Sequence, residues 1–452
     1  MTRPRRRLAS TAIGLMLVVG AALSSTAVHA APRGVVSYGS GKRPIGTQLV
    51  QLPDGRLLVG GVMRLGRDEP PVIVRFSGRG RLDRGFGRRG LATRVLRNGF
   101  FTSPTTLSVA RDGTFLVAAE VSLTMSTTGV AAAFFSPRGT PRGDVSWAAQ
   151  TPDFTGELER YEMPSIVLQP AGPPLLLVNS LGGYFSKNAH GCSFALDSAY
   201  GRAGSDSCLP WNRDLTEARF AAGVPDPRGG AIVAIGGWDL RGPKAAEKHG
   251  FFGIARVDAA GMVDASFGTR SPGDAPDFGT QGGDLTIPQG ARTVAPRPGG
   301  GWVVAGPAPG GWGLAGFTAT GAVDPAFGLG GKALIDPDPR PDPVQLDSLT
   351  PLRDGRLLAV GHNFAGNGVP KGYAAIVRGD GSLDGSFGRG GKVVITPRAL
   401  GTDEIYSLTG AAEQGSGKIV LLGTGWSERR ETTIGLLFRL KRNGALDRTF
   451  GG

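Results

Sequence analysis

The stretch Leu383-Asp384-Gly385-Ser386-Phe387-Gly388 decides the fold of this 452-residue chain, because copies of it recur along the sequence. Four further copies follow the pattern Leu/Val-Asp-x-x-Phe-Gly, at 82–87, 263–268, 323–328 and 446–451. From first to last, the five aspartates are separated by 181, 60, 60 and 63 residues. Since 181 is close to three steps of 60, we expect two degenerate copies in that gap, at 134–139 and 199–202. A period of this length predicts a repeat architecture with seven copies.

Each copy carries a second signal, an Asp-Gly pair between two apolar runs, as at Asp54-Gly55, Asp112-Gly113 and Asp354-Gly355. Asp-Gly supplies the positive φ angles of a tight type I′ hairpin. A third apolar run precedes the Leu-Asp turn and a fourth follows it. Four antiparallel strands per copy, without a helical period, predict an all-β, seven-bladed β-propeller of four-stranded blades. A β-solenoid or an array of sandwiches is the alternative.

The two ends of the chain complete each other. The seventh copy stops at Phe450-Gly451-Gly452, where its fourth strand should begin. Gly34-Val35-Val36-Ser37-Tyr38 looks like that missing strand and has no repeat before it. We therefore expect the N-terminal strand to complete the last blade and to close the ring, which would leave no sheet edge exposed at the seam.

These copies resemble the delta-60 repeat family, whose mark is Leu-Asp-x-x-Phe-Gly-x-x-Gly recurring about every sixty residues. The resemblance covers nearly all of the chain after the first thirty residues. It implies an exported or surface-exposed bacterial protein of propeller type. No shared activity is attached to the motif, so the resemblance concerns fold and location alone.

Residues 1–30 are typical of a secretory signal. Arg3, Arg5, Arg6 and Arg7 precede an apolar stretch, and Val28-His29-Ala30 places small residues where a signal peptidase reads them. We expect cleavage after Ala30, by the Sec or the twin-arginine route, and a single propeller domain over residues 31–452. The unbroken apolar run is shorter than the roughly 20 residues that span a bilayer, so no membrane span is expected in the mature chain.

Composition narrows the class of partner. The chain has 75 Gly and 33 Pro, close to a quarter of its residues, yet 40% are hydrophobic, which is enough apolar material for a core. A net charge of +13 suits anionic wall polymers or acidic polysaccharides. No Lys/Arg block outside the signal resembles a nucleic-acid site, so we expect no nucleic-acid partner. We also expect the protein to be a monomer without a cofactor.

Two cysteines, Cys192 and Cys208, lie in the exported part of the chain. In an oxidising compartment they predict a disulfide, and two cysteines are too few for a zinc site. The Asp of each Leu-Asp turn is expected to accept backbone N–H groups, because one carboxylate cannot give calcium its six to eight oxygens. We therefore predict no metal site.

A ligand site is expected on one face of the propeller. If the Asp-Gly hairpin joins strands one and two, the loops between strands two and three share a face with the loops that link blades. That face receives Trp211, Trp238, His362, Asp403, Glu404 and Trp426. Tryptophan rings could stack on sugars and carboxylates could bind their hydroxyls. The sequence thus favours a non-catalytic binding or interaction scaffold for a glycan, a cell-wall polymer or a protein.

The alternative is a propeller enzyme, such as a lyase, a glycosidase or a quinone-linked dehydrogenase, with its site at the channel mouth. Asp336 with Asp338, or Asp403 with Glu404, would be the acid/base pair, together with His362. No complete catalytic motif supports this alternative: Gly191-Cys192-Ser193-Phe194-Ala195 lacks the final glycine of a nucleophile elbow. We therefore predict no catalytic residue.

Overall fold

The computed structural model describes the greater part of the chain after residue 32. The described ranges are 33–38, 45–62, 70–94, 100–101, 106–110, 112–122, 128–148, 161–167, 169, 175–180, 189–196, 202–208, 215–240, 248–268, 277–280, 290–338, 344–363, 369–428 and 431–452. The proposed signal, 1–30, lies outside them.

The regular secondary structure of the described residues is almost entirely β-strand. Strand β1 is Val35–Tyr38. The first sheet contains β2 (Ile45–Gln51), β3 (Leu57–Val62), β4 (Pro71–Phe76) and β5 (Leu91–Thr93). The second contains β6 (Phe100–Phe101), β7 (Thr106–Val109), β8 (Phe115–Ser122), β9 (Thr128–Phe135) and β10 (Pro141–Ala148).

The third sheet is the largest. It contains β11 (Tyr161–Val167), β12 (Leu175–Ser180), β13 (Ala189–Leu196), β14 (Arg202–Cys208), β15 (Leu215–Pro225), β16 (Ala231–Leu240), β17 (Lys248–Val257) and β18 (Asp277–Thr280).

Three regular four-stranded sheets follow. The fourth contains β19 (Thr293–Pro296), β20 (Trp302–Ala308), β21 (Gly311–Phe317) and β22 (Lys332–Ile335). The fifth contains β23 (Val344–Pro351), β24 (Leu357–Asn363), β25 (Gly372–Val377) and β26 (Lys392–Ile395). The sixth contains β27 (Glu404–Glu413), β28 (Ile419–Ser427) and β29 (Thr432–Leu440), with β1 as its fourth strand.

A short helix, α1 (Pro397–Leu400), connects the fifth and sixth sheets. Proline at its start suits a first turn, whose N–H groups have no partner within the helix, and Gly401 ends it in the left-handed conformation at φ 70°. Within the described ranges, no helix has the length and apolar character needed to cross a membrane.

The chain is an all-β, six-bladed propeller of antiparallel blades, and the expectation of seven blades is wrong. The described strands form six sheets, because the two segments assigned to the third and fourth copies share one eight-stranded sheet. Their junction is a parallel pairing of β13 with β15, at Ala189↔Glu217 and His190↔Ala218. A repeat period does not reveal such a pairing, because it joins stretches that occupy different places in their own copies.

The N-terminal strand lies where the chain ends predicted. Strand β1 pairs antiparallel with β29, with Val35 opposite Phe438 and Tyr38 opposite Gly435. The pairing supplies the fourth strand of the sixth sheet. It does not by itself show a closed ring, so closure stays a prediction.

The first strand of each blade unit lies nearest the centre, because these strands contact one another from sheet to sheet, as β19, β23 and β27 do. We call them central strands. Each runs from the side where the inter-sheet loops enter, the loop face, to the side of the Asp-Gly turns, the hairpin face. The Leu-Asp turns lie on the hairpin face as well.

The Asp-Gly turns differ from the predicted type I′ hairpin. The Gly55 N–H donates to the Leu52 carbonyl at 2.9 Å and the Leu52 N–H to the Arg56 carbonyl at 2.8 Å, which makes a three-residue loop. Gly55 has φ 83°, whereas Asp54 is not among the residues with positive φ. The glycine alone needs the left-handed conformation, and Asp54 instead accepts the Arg56 N–H at 3.0 Å.

The Leu-Asp turns have the predicted turn chemistry. In each of the five clear copies, one carboxylate oxygen accepts the backbone N–H two residues further on. The donors are Gly85 (3.1 Å), Ser266 (2.9 Å), Ala326 (3.0 Å), Ser386 (3.1 Å) and Thr449 (3.1 Å). This bond fixes the tight turn that leads into the phenylalanine of the motif.

The Phe-Gly pair of the motif fastens each sheet to the next. Phe450 of the sixth sheet is buried among Leu57 and Phe76 of the first. A side chain on Gly80 would meet its ring at 2.7 Å, so only glycine fits there. The adjacent Gly451 N–H donates to the Arg79 carbonyl at 2.8 Å. The equivalent bonds elsewhere are Gly87 to Arg138, Gly328 to Asp380 and Gly388 to Asn443.

An arginine completes this fastening. Arg439 pairs with Asp447 at 2.8 Å, lies 5.0 Å from the Phe450 ring centre, and donates to the Gly78 carbonyl of the first sheet at 3.4 Å. Arg75 and Arg297 make the same three kinds of contact in the first and fourth sheets. We call the turn with its aspartate, phenylalanine, glycine and arginine the latch.

We predict that Asp447→Ala lowers the free energy of unfolding by about 3 kcal/mol, because removing one partner of a buried pair leaves the other charge without compensation. The side chains of Asp447 and Arg439 are 1% and 9% exposed. Denaturant unfolding followed by circular dichroism measures the change. The control is Glu428→Ala, an exposed acid of the same sheet, which should stay within about 0.5 kcal/mol of wild type. Equal losses in both variants would contradict a stabilising latch.

We also predict an acid-sensitive contribution from Asp384. The Ser386 N–H, with the Ser386 hydroxyl and the Arg356 guanidinium, lowers the pKa of Asp384 to about 2. An aspartate in the unfolded chain has a pKa of about 3.9. The stabilisation is therefore complete above that pH and is lost as the pH falls toward 2. The difference in unfolding free energy between wild type and Asp384→Asn should therefore shrink from pH 5 to pH 2. Urea titrations across this range test it, and a constant difference would contradict the assignment.

Candidate functional site

Several central strands contain one extra residue near the loop face. At that residue the register between the central strand and the next strand of its sheet shifts by one. In the first and fifth sheets the register shifts around Thr47 and Asp347. Both lie seven residues before the aspartate of the Asp-Gly turn. In the fourth sheet Arg292 lies seven residues before Gly299, the equivalent turn residue, and its N–H donates to the Ala305 carbonyl at 2.8 Å. We call this place the bulge position.

The copies differ at the bulge position although they agree in the latch. Among the described residues, those at this position include Thr47, Ala221, Arg292, Asp347 and Thr409. A position that accepts a methyl group, a hydroxyl or either charge is not chosen by the needs of the fold. Burying part of an arginine or an aspartate has a free-energy cost, so two opposite charges in neighbouring sheets indicate a role beyond folding.

Asp347 has two partners from different sheets. Its Oδ2 lies 2.7 Å from Nδ1 of His362, at the loop-face end of β24. The same oxygen accepts the Leu408 N–H of β27 at 3.1 Å. The side chains of Asp347 and His362 are 12% and 8% exposed, respectively. The carboxylate therefore holds the imidazole and joins the central strands of the fifth and sixth sheets.

Arg292 immediately precedes β19, the central strand that contacts β23 from the fourth sheet. Its side chain is half-buried. Burial lowers the pKa of the Arg292 guanidinium below its usual value, and the Asp347 carboxylate offsets part of that effect. The guanidinium stays charged at neutral pH. We call Arg292, Asp347 and His362 the inner-strand cluster.

An exposed aromatic ring lies close by along β27. Tyr406 is 41% exposed and precedes Leu408 by two residues. Partial burial raises the pKa of the Tyr406 hydroxyl, and the charge of Glu404, which is hydrogen-bonded to it, raises it further. The sixth sheet therefore presents an aromatic face on the strand whose Leu408 N–H binds Asp347.

Three of the predicted site residues meet at the loop-face end of the sixth sheet. Glu404 is the register partner of Trp426, and the Asp403 N–H donates to the Trp426 carbonyl at 2.9 Å. The Asp403 carboxylate accepts the Glu428 N–H at 2.7 Å, so it holds the loop after β28. Trp426 is half-buried. Glu404 and Trp426 thus lie opposite each other at the loop-face end of the sixth sheet, and Asp403 holds the loop beside them.

Other predicted residues fall partly or wholly outside the description. Trp211 lies outside the described residues. Trp238 belongs to β16, opposite Glu217, and only its backbone is described. Cys192 and Cys208 are register partners on the antiparallel strands β13 and β14. Their backbones are therefore adjacent, and the disulfide stays a prediction.

The two members of each carboxylate pair proposed for acid/base chemistry have different partners or burial. Asp403 accepts the Glu428 N–H, whereas Glu404 is hydrogen-bonded to Tyr406. Asp336 is exposed, whereas Asp338 is buried and accepts the Tyr373 hydroxyl at 2.8 Å. Among the described residues, no group of three or more His, Cys, Asp or Glu side chains could hold a metal ion.

Sequence reasoning identified His362 and missed both its partner Asp347 and Arg292, on which the charge of Asp347 acts. A signal for both was available: aligning the copies on their hairpin turns puts the two residues in the same column, seven places before the turn. Their closeness depends on two central strands being neighbours, which the spacing alone does not state.

Comparisons with known proteins found only distant structural similarity. No family model matches the chain, so membership of the delta-60 family stays a prediction. No curated protein matches either. Among solved structures, a protein of unknown function from Dyadobacter fermentans is 12% identical over 76% of this chain and 98% of its own, with a TM-score of 0.47.

Two enzymes of known structure show a similar distant likeness. A Trypanosoma rangeli sialidase in complex with sialic acid is 11% identical over 78% of this chain and 55% of its own, with a TM-score of 0.40. A GH43 endo-arabinanase from Bacillus licheniformis is 12% identical over 76% of this chain and 98% of its own, with a TM-score of 0.34. Similarities this low carry no inference about activity.

The link between Asp347 and Leu408 makes a direct prediction. Asp347→Ala removes the acceptor of the Leu408 N–H, a charge-assisted bond that contributes about 1.5–3 kcal/mol. Exchange of the Leu408 amide with solvent deuterium should therefore become at least tenfold faster. Asp347→Asn retains an acceptor oxygen and should stay within threefold of wild type. Unchanged exchange in Asp347→Ala would contradict the link between the two sheets.

Proposed function

We propose that this chain is an exported binding protein that holds a glycan or a cell-wall polymer at the loop-face end of its central strands. One observation carries the proposal: at the position where the repeat copies diverge, neighbouring sheets have Arg292 and Asp347 at equivalent places, and Asp347 holds His362 at 2.7 Å. The latches on the opposite face use their charges to hold the sheets together.

The chemistry of the site matches a hydroxyl-rich ligand. Carboxylate oxygens accept hydrogen bonds from sugar hydroxyls, and guanidinium groups donate to ring and hydroxyl oxygens. Tyr406 and Trp426 border the site with aromatic faces, one exposed and one half-buried. A few polar groups among aromatic surfaces, on a rigid scaffold, are typical of binding sites for small molecules and oligomers.

Location and charge support the same class of ligand. The predicted secretory signal and the resemblance to an exported repeat family favour a place outside the cytoplasm. Without the four arginines of the predicted signal, the net charge of the chain falls from +13 to +9, and a positive charge favours anionic envelope polymers over neutral surfaces. We propose that the chain acts there as a monomer, without nucleic acid as a partner.

We predict that purified mature protein binds intact bacterial wall sacculi or a glycan on a carbohydrate array, and that Asp347→Asn with His362→Ala weakens this binding at least tenfold. The control is Lys441→Ala, which removes an exposed charge on the hairpin face and should leave binding unchanged. Circular dichroism of each variant confirms folding. Failure of wild-type protein to bind any wall fraction or glycan would contradict the proposal.

A second candidate function is that of an enzyme acting on the same polymer, which is the alternative that the sequence left open. The observation that favours it is the Asp347–His362 pair, because a carboxylate that orients an imidazole is a common general-base arrangement. An enzyme would release reducing ends or unsaturated products from the bound polymer, and His362→Ala would abolish the release. If the polymer binds but no reducing ends or unsaturated products appear over a long incubation, the result supports a non-catalytic binding scaffold.

A further inference from the structure

Arg292 differs from five other half-buried or buried arginines of the propeller, because none of the described residues forms an ion pair with it. Arg75, Arg256, Arg297, Arg356 and Arg439 each pair with at least one aspartate of the hairpin face. Among the residues that the structure describes, no hydrogen bond or ion pair reaches the Arg292 guanidinium. A half-buried cation without a counter-charge has a free-energy cost, and the five arginines of the hairpin face avoid that cost through their aspartates.

Asp347 does not fill the role of counter-ion. Its Oδ2 is committed to Nδ1 of His362 at 2.7 Å and to the Leu408 N–H at 3.1 Å. It acts on Arg292 through its charge, without an ion pair between them. The guanidinium therefore retains donor capacity next to a carboxylate that is already held in place.

We propose that Arg292 is the anion-binding residue of the site, and that the ligand carries a carboxylate or phosphate group beside free hydroxyls. This inference rests on the proposed function and narrows its ligand class to acidic glycans and phosphate-linked polyol polymers. The planar guanidinium binds either anion through two parallel hydrogen bonds, a geometry that a lysine ammonium does not reproduce.

The neighbouring charges set the spacing that such a ligand needs. Asp347 repels a second anion, so the group next to the bound carboxylate or phosphate should be a hydroxyl. A repeating unit with one anionic group and several hydroxyls meets both demands. A densely charged polyphosphate does not, because it would place negative charge against Asp347.

The test compares three polymers of different charge: polygalacturonate with carboxylates, poly(glycerol phosphate) with phosphates, and neutral dextran. Affinities of wild type, Arg292→Lys, Arg292→Gln and the hairpin-face control Arg442→Gln are measured by calorimetry at low and at physiological salt. We expect wild type to bind at least one anionic polymer tenfold or more tightly than dextran. Arg292→Gln should lose that preference, Arg292→Lys should lose most of it, and Arg442→Gln should match wild type.

Each outcome decides a separate point. Preference for polygalacturonate or for poly(glycerol phosphate) identifies which anion Arg292 binds. Equal binding of dextran and both anionic polymers, unchanged by Arg292→Gln, overturns the inference and leaves the proposed function standing. No binding of any polymer or of wall sacculi by wild type overturns both.

A stability measurement separates binding from a structural role. Because Arg292 has no ion pair with any described residue, Arg292→Gln should melt at the wild-type temperature or above it. A clear drop in melting temperature together with lost binding would assign Arg292 to the fold and overturn the inference.

Discussion

The contact on which the rest of the structure depends is the latch, in which a motif phenylalanine enters the neighbouring sheet. Phe450 shows its parts: the ring lies beneath Gly80, the next glycine bonds the Arg79 carbonyl, and Arg439 lies over the ring while it pairs with Asp447. Each part needs the others, because the aspartate orients the turn and supplies the counter-charge of the arginine. A blade unit of some sixty residues has little core of its own, so this contact between sheets supplies much of its burial.

With the hairpin face committed to holding sheets together, the loop-face ends of the central strands can vary. The copies agree at the latch and differ at the bulge position, where Arg292 and Asp347 lie on neighbouring strands. Comparing the copies within one repeat protein thus separates the positions that folding requires from those that are free to vary. The divergent position, which is half-buried and carries charges in two sheets, is where we propose that this propeller binds its ligand.

Much of the fold followed from the sequence. The spacing of the Leu-Asp turns predicted four-stranded antiparallel blades, and the chain ends predicted that β1 would pair with β29. The number of blades did not follow, because the His190–Ala218 pairing lies outside the repeated pattern. Of the site, His362, Glu404 and Trp426 were anticipated. Arg292 and Asp347 were not, because neither belongs to a motif and their meeting depends on which strands become neighbours.

The most direct test of the account is hydrogen–deuterium exchange of the mature protein with and without bacterial wall polymer. If the central strands bind the ligand, protection should appear in peptides covering 290–296, 344–351 and 404–410, while the latch peptides covering 379–391 and 441–452 should stay unchanged. Protection confined to the latch peptides, with the three central-strand peptides unaffected, would place the binding surface on the opposite face and contradict the account.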